Sequence, residues 1–419
     1  MVALEVPVEK IPYIRTIEGR KFRAGKWEFP DSAITKLQQY GLIDTNIEVP
    51  KKEIVHYELS PHLRKYQKDI VNKALNEGSY GIFADTGTGK TLMGLEIAKH
   101  YGKTLILCPL SVIETAWVDD CKKFYPELEI TNCWATSSKK RFDAMDIDSD
   151  VYVMNYESFK ILKKKILAMD FQCVIVDESQ VMKNMGAQIT NELLQLIDVI
   201  PHRFVLSGTP TPNHNSEIFP QMKFVDADVF GNNFFGFQAH YFTQDMQNPH
   251  RWYQTQENKE AYFNRLREKS VFLKKEDCVD LPPKVFQIKE FDLGSEQKRH
   301  YNNMVKNIKD NINEWSKFEF TAKLMKLREI VSGFVINKEG SIDDFETNKD
   351  KVLEQSFEEI GDKPIIIWCQ FQHEIERLAE KYNGVALTSK NKDRDDIIRK
   401  FKAGKIQKLF VHPKLLGKG

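Results

Sequence analysis

The chain has 419 residues, too many for one ordinary hydrophobic core, so two or three domains are expected. A composition of 41% hydrophobic and 29% charged residues is that of a folded chain and excludes one disordered throughout. Lysine and arginine number 61 against 60 acidic residues, a net charge of +1, so no global field attracts a polyanion and any nucleic-acid contact has to be a local patch.

The first fifty or so residues, 1–53, read as a small α+β unit. Short β-rich runs (Val6-Pro-Val, Tyr13-Ile-Arg-Thr-Ile, Lys26-Trp-Glu-Phe) alternate with turn signals at Gly19 and Gly25. Asp31 or Ser32 then caps a short helix through Ile34, Leu37 and Tyr40 that ends at Gly41. Between residues 10 and 26, Lys10, Arg15, Arg20, Lys21, Arg23 and Lys26 face the single acid Glu18, with Tyr13 and Phe22 interleaved and Trp27 following. Basic side chains with aromatics suit phosphate contact and base stacking. A solvated face over an aromatic mini-core explains the same residues, and both readings stand at this point.

From Ile54 the pattern becomes α/β. An amphipathic helix starts at Leu63-Arg64-Lys65-Tyr66-Gln67 and runs to Gly78, followed by the apolar Ile82-Phe83-Ala84 and then Asp85-Thr86-Gly87-Thr88-Gly89-Lys90-Thr91. Leu92, Met93, Leu95, Ile97 and Ala98 repeat at helical spacing to about His100, so this is strand, loop and helix, the context a phosphate-binding P-loop requires. Gly87 and Gly89 let the backbone approach a polyphosphate, and the N–H groups opening the helix point at it. Lys90 would reach the β and γ phosphates, and the Thr91 hydroxyl would ligate Mg²⁺. The full pattern has glycine where this chain has Ala84.

Further apolar runs without alternation, Thr104–Pro109, Val151–Asn155, Cys173–Asp177 and Arg203–Ser207, predict the buried strands of a doubly wound, largely parallel sheet, with a helix through Ile113, Trp117 and Cys121. Asp177 sits where a strand emerges, the place for a carboxylate holding Mg²⁺, and Glu178 beside it could orient and deprotonate an attacking water. The reaction class is then nucleoside triphosphate hydrolysis. Residues 213–280 are aromatic-rich and irregular, without strand–helix alternation. Residues 296–335 predict one or two helices with Leu324, Leu327, Ile330 and Val331 on the apolar face, and 337–350 a polar loop. A second βα pattern follows: Lys363–Cys369, a helix from Glu374 to Tyr382, Val385–Leu387, a helix near 394–402 and Lys408–Val411.

The six cysteines, Cys108, Cys121, Cys133, Cys173, Cys278 and Cys369, are scattered, which fits small core residues in a reducing compartment better than zinc ligands. No apolar run approaches the ~18 residues of a membrane span, and the opening residues lack a signal-peptide pattern. A cytoplasmic location is expected.

Read in order, these segments resemble the motor of superfamily-two helicases, specifically the Swi/Snf-like branch of double-stranded-DNA translocases of phage or bacterial type. Leu63–Gln67 resembles its adenine-reading segment, implying ATP contacts from Arg64 and Gln67. Ala84–Thr91 resembles its motif I, in which alanine before Asp85 is usual, implying ATP contacts from Asp85, Thr86, Gly87, Thr88, Gly89, Lys90 and Thr91. Leu107-Cys-Pro109-Leu-Ser111 with Trp117, and Asn155-Tyr156-Glu157, resemble DNA-facing segments, which gives Pro109, Ser111 and Tyr156 to DNA; Trp117 by itself reads as core. Asp177-Glu178-Ser179-Gln180 resembles motif II, and Ser207-Gly208-Thr209-Pro210 resembles motif III, which couples the nucleotide state to DNA. Leu273-Lys274-Lys275 and Leu281-Pro-Pro-Lys284 resemble the run into the second lobe. Residues 1–53 are similar, more weakly, to the HARP domain of annealing helicases through Ile11-Pro12, Arg20-Lys21-Phe22 and Lys26–Pro30, which turns Arg20, Lys21, Arg23, Lys26 and Trp27 towards DNA of mixed single- and double-stranded character.

The resemblance implies a RecA-like first lobe at 54–280 with an insertion after 212, a helical linker or protrusion at 281–350, and an incomplete second RecA-like lobe at 351–419. It implies ATP and Mg²⁺ as cofactors, DNA (duplex or fork) as a sequence-independent partner, and catalysis by Lys90, Asp177 and Glu178. Leu409–Pro413 with Gly417-Lys-Gly resembles the start of motif V, and an arginine-bearing motif VI does not follow, so ATP binding with weak hydrolysis is expected of the sequence as it stands. The alternatives are a DNA-binding module that holds ATP but hydrolyses it weakly, and the motor subunit of a nuclease or restriction assembly.

Overall fold

The computed structural model describes residues 2–6, 14, 21–23, 26–29, 33–39, 41–43, 54–248, 251–278, 286–311, 316–337, 339–391 and 393–416. Near the amino terminus, β1 (Val2–Leu4), β2 (Lys21–Arg23) and β3 (Lys26–Phe29) form an antiparallel sheet in the order β1-β3-β2. The helix Ile34–Gln39 ends at Gly41, whose φ of +62° is a conformation glycine adopts without a Cβ penalty. Leu37 and Ala33 from this helical segment pack on Ile14 and Phe29, with Leu4, Val6 and Trp27 against that cluster. The expected caps Asp31 and Ser32, and most of the Val6–Val8 and Tyr13–Ile17 runs, lie outside the described residues.

The main element is a seven-stranded parallel sheet built from β4 (Tyr80–Ala84), β5 (Thr104–Cys108), β6 (Ile130–Asn132), β7 (Val151–Asn155), β8 (Cys173–Asp177), β9 (His202–Ser207) and, after a two-residue-stranded hairpin β10 (Thr243–Gln244) and β11 (Trp252–Tyr253), β12 (Ser270–Leu273). Its order is β12-β4-β9-β8-β5-β7-β6. Every residue of β4, β5 and β8 is buried, which explains their unbroken apolar sequences: both sheet faces are covered. The register sets Phe83 beside Ser207 and Asp177 beside Leu206, so the carboxyl ends of β4, β9 and β8 emerge side by side. That crevice is where open parallel sheets bind ligands.

Several expectations are corrected. The segment 213–280 is not irregular: helices Phe219–Val225, Phe234–Tyr241 and Gln256–Leu266 lead into β12, which pairs with the P-loop strand as the sheet edge. Its aromatics, Phe230, Phe237, Tyr241 and Tyr262, pack on one another in tilted pairs, with Phe230 stacked on Tyr262 from a separate helix. Because that cluster is assembled from distant positions, it leaves no single-element periodicity in the sequence. The helix expected through Ile113, Trp117 and Cys121 is instead a 3₁₀ turn (Leu110–Val112), a π-helical stretch (Ile113–Val118) and an α-helix (Asp119–Phe124). Trp117 in its middle is fully buried and belongs to the core.

By contact, Met1–Leu107 with Lys160–Cys278 forms one compact unit and Cys108–Phe159 with Val279–Gly419 a second. In the latter, helices Ser295–Asn311 and Lys317–Val331 precede a hairpin, β13 (Phe334–Ile336) and β14 (Ile342–Asp344). The polar stretch 337–350 is therefore a hairpin turn, strand and helix start rather than a loop. The Thr347 hydroxyl caps helix Asn348–Ile360 by accepting from the Asp350 N–H at 3.1 Å. Ile330 is buried as expected, whereas Leu324 is exposed. A three-stranded parallel sheet follows, β15 (Ile365–Trp368), β16 (Val385–Leu387) and β17 (Lys408–Val411) in the order β15-β17-β16, with helices Gln372–Lys381 and Arg394–Lys402. These match the second βα pattern closely. Five of the six free cysteines are buried, and burial pushes the Cys121 thiol up to about 11 and the Cys369 thiol up to about 12. No helix among the described residues is long and apolar enough to cross a membrane.

Candidate nucleotide-binding site

The loop between β4 and helix Lys90–Tyr101 turns through Gly87 at φ +84° and Gly89 at φ +81°. A side chain on Gly89 would also collide with Gln67 Nε2, so glycine is required there twice over. The Thr88 hydroxyl donates to the Asp85 carbonyl at 2.7 Å and holds the turn. Lys90 lies back along the loop, its Nζ donating to the carbonyls of Ala84 at 2.8 Å and Asp85 at 3.4 Å.

Helix Lys65–Glu77 braces the loop from one side. Gln67 is buried, accepts the Arg64 N–H at 2.8 Å and donates to the Thr88 carbonyl at 3.0 Å. The Tyr66 hydroxyl donates to that same carbonyl at 2.9 Å, and burial raises the Tyr66 pKa so that this donor keeps its proton, against a lesser opposing pull from Arg64. The Gln67 amide, expected at a base edge, is thus also a structural tie to the P-loop. On the other side, the Asp85 carboxylate accepts the Lys275 N–H at 3.0 Å.

Asp177 closes β8 with 9% of its surface exposed, and its Oδ1 accepts the Glu178 N–H at 2.9 Å. Glu178 has φ +54°, ψ +50°, one of two non-glycine residues with positive φ among those described. A glutamate held in the left-handed region costs of order 1 kcal/mol and persists only where its surroundings enforce it, a condition found at functional sites. Its carboxylate accepts from Gln180 Nε2 at 2.6 Å, and the Ser207 hydroxyl donates to Gln180 Oε1 at 2.7 Å. Ser207 Oγ in turn accepts the Thr209 N–H at 3.0 Å. Glu178, Gln180, Ser207 and Thr209 therefore form one continuous hydrogen-bonded line. A second tie runs beneath it: buried Ser179 donates to buried Gln221 at 2.7 Å, and Gln221 donates to the Pro210 carbonyl at 2.7 Å. Gly208 packs over the P-loop, where a Cβ would stand 3.5 Å from the Ala84 carbonyl and 3.7 Å from both Lys90 Nζ and the Thr86 nitrogen.

The structure thus brings together the loop residues 84–91, Gln67, Asp177, Glu178, Ser207, Gly208 and Thr209. Gln180 and Gln221 carry the links. Gln180 stood inside a recognised segment, whereas nothing marked Gln221. Of the DNA-facing candidates, Pro109, Ser111 and Tyr156 are partly exposed: Pro109 follows β5, Ser111 lies in the adjoining 3₁₀ turn and Tyr156 opens helix Tyr156–Leu167. Lys26 is exposed with its ammonium 3.8 Å from Glu5, and Trp27 is half-buried against the small core. Lys21 and Arg23 occupy β2, and Arg20 lies outside the described residues.

A P-loop on a fully buried parallel strand beside the edge strand, with an acidic pair on the next strand but one, defines an α/β core of the RecA-like kind. The SNF2-related domain matches residues 59–339, and the chain belongs to that family. Its relatives include protein p41 of Acyrthosiphon pisum secondary endosymbiont phage 1, 26% identical and covering 85% of this chain and 82% of that one. A SWI/SNF-related matrix-associated actin-dependent regulator of chromatin subfamily A-like protein 1 homolog of Caenorhabditis elegans is 34% identical over 42% of this chain and 26% of its own length. The DNA annealing helicase and endonuclease ZRANB3 of Mus musculus is 27% identical over 62% of this chain and 25% of its own. The chain thus spans most of the phage relative but only about a quarter of the two animal ones. Among solved structures, the Sulfolobus solfataricus SWI2/SNF2 ATPase core in complex with dsDNA aligns with a TM-score of 0.47 at 22% identity, covering 86% of this chain and 80% of that one.

Proposed function

We propose that the chain is an ATP-dependent DNA translocase or remodeller that acts on duplex or forked DNA without regard to sequence and hydrolyses ATP with Mg²⁺. The observation that carries this reading is the line Glu178–Gln180–Ser207–Thr209 beside the P-loop: it ties the candidate water-activating carboxylate to a strand end that can report the nucleotide state. A triphosphate would sit on the N–H groups opening helix Lys90–Tyr101, with Lys90 exchanging its carbonyl acceptors for phosphate oxygens. Thr91 and Asp177 are the residues that would hold Mg²⁺, which when bound neutralises phosphate charge. A hydroxyl one residue into the helix and a nearly buried carboxylate at a strand end are oxygen donors suited to that hard cation. Glu178, steered by Gln180, orients the attacking water and takes its proton.

The family membership, the mouse relative named as a DNA annealing helicase and the basic-aromatic patch around Lys26 and Trp27 support DNA as the partner. The phage relative supports a role in the cytoplasm of a bacterium or phage-infected host. Fluorescence anisotropy of labelled duplex, forked and single-stranded DNA tests the proposal. The expected result is sequence-independent binding that weakens steeply with salt and shifts when Mg·ATP is added, since the two ligands are linked. Absence of duplex and fork binding, or an affinity indifferent to Mg·ATP, would overturn it.

A further inference from the structure

We propose that Lys275 is a second phosphate-contacting lysine of the nucleotide site, delivered by the edge strand β12; the inference rests on residues 82–91 holding a nucleoside triphosphate. Leu273 stands beside Ala84 in the parallel register, and two bonds continue the pairing past the end of the P-loop strand. The Asp85 N–H donates to the Leu273 carbonyl at 3.0 Å, and the Lys275 N–H donates to the Asp85 carboxylate at 3.0 Å. A tight turn through Lys275–Asp277 follows, with the Cys278 N–H on the Lys275 carbonyl at 3.2 Å. This backbone is pinned directly against the loop that cradles phosphate.

The side chain completes the placement. Lys275 Nζ lies 3.1 Å, and its Cε 3.4 Å, from where a Cβ on Gly87 would stand, so the ammonium fills the opening left by that glycine. Its neighbour Lys274 is far more exposed and pairs with Glu276 at 3.5 Å, whereas Lys275 has no ion-pair partner among the described residues. Lys90 Nζ donates to the Ala84 carbonyl of the same loop and lies close to Gly208. Lys275 at the Gly87 opening and Lys90 on the loop carbonyls thus both border the P-loop, whose backbone N–H donors and flanking ammonium groups suit a polyanion. The chemistry fits the phosphate chain of a nucleotide rather than its base.

Calorimetric titration of the full chain with Mg·ATP and with inorganic tripolyphosphate, for wild type, Lys275→Ala and Lys275→Arg, tests this. Loss of one charge-assisted contact predicts about 10-fold weaker binding of both ligands by Lys275→Ala, recovered largely by Lys275→Arg. An unchanged melting temperature separates this from misfolding. If Lys275→Ala binds both ligands as well as wild type, or tighter, Lys275 is a spectator or a plug and the proposal fails. If wild type itself binds neither, the nucleotide reading fails instead, which a Lys90→Ala control run in parallel makes distinguishable.

Discussion

Replacing Gln180 with alanine cuts the line that joins Glu178 to Ser207. Two costs follow from the geometry. The 2.6 Å bond from Gln180 to the Glu178 carboxylate is charge-assisted, the kind worth about 1.5–3 kcal/mol. Ser207 is fully buried and loses the acceptor of its hydroxyl, and an unsatisfied buried group costs about 1–3 kcal/mol. Some of this is recovered by water and relaxation, so a net loss of about 2 kcal/mol in unfolding free energy is expected. In turnover, releasing Glu178 from its fixed orientation should cost about 10–100-fold, since each 1.4 kcal/mol of lost positioning is tenfold in rate. The P-loop's own bonds are untouched, so the affinity for Mg·ATP should stay within about threefold. Urea unfolding, phosphate release and nucleotide titration read the three quantities separately. A Gln180→Ala protein that turns over ATP like wild type would refute the assignment of this line to catalysis.

Three further outcomes are expected. Gly89→Ala, which forces a Cβ onto Gln67 and a left-handed backbone costing about 1–2 kcal/mol, should lower ATP affinity at least tenfold by nucleotide titration with only a small drop in melting temperature. Burial would raise the Asp350 pKa, but hydrogen bonds and charge from Arg377, with Lys381 and Thr347 adding to them, outweigh it and hold that carboxyl below its ordinary value. Its stabilising contribution is therefore complete above the unfolded pKa of about 4 and lost as pH falls through the lower folded value. Asp350→Ala, which takes from Arg377 its buried carboxylate partner and leaves it the Ser332 carbonyl at 3.2 Å, should cost about 3 kcal/mol at pH 7 and less in acid, read by urea unfolding at both pH values. Trp27→Ala combined with Lys26→Ala should weaken fork binding several-fold by anisotropy and reduce its salt slope by about one, with ATP affinity unchanged.

The strands at Tyr80–Ala84, Thr104–Cys108, Val151–Asn155, Cys173–Asp177 and His202–Ser207 were legible in the sequence because double burial removes polar positions from them. The helix stop at Gly78 was legible for a different reason, a left-handed cap at φ +72° that glycine fills. β12 was not, since four residues carry no period and their place beside Ala84 is set only by long-range pairing. β14 hid in the same way inside a polar stretch, and its partner β13, Phe334–Ile336, lay at the end of the stretch expected to be helical. At the site, residue types marked the P-loop, Asp177 and Glu178. The left-handed backbone of Glu178, the bridging by Gln180 and the position of Lys275 depend on β8, β9 and β12 arriving at one edge, which no local pattern encodes.

The most direct test of the central claim is phosphate release by the full chain at saturating Mg·ATP, with and without duplex DNA, beside Lys90→Ala. Coupling through Glu178, Gln180 and Ser207 predicts that duplex DNA raises even a weak basal rate severalfold and that Lys90→Ala removes both the basal and the stimulated rates. A basal rate that duplex DNA leaves unchanged, or a stimulated rate that survives Lys90→Ala, would contradict it.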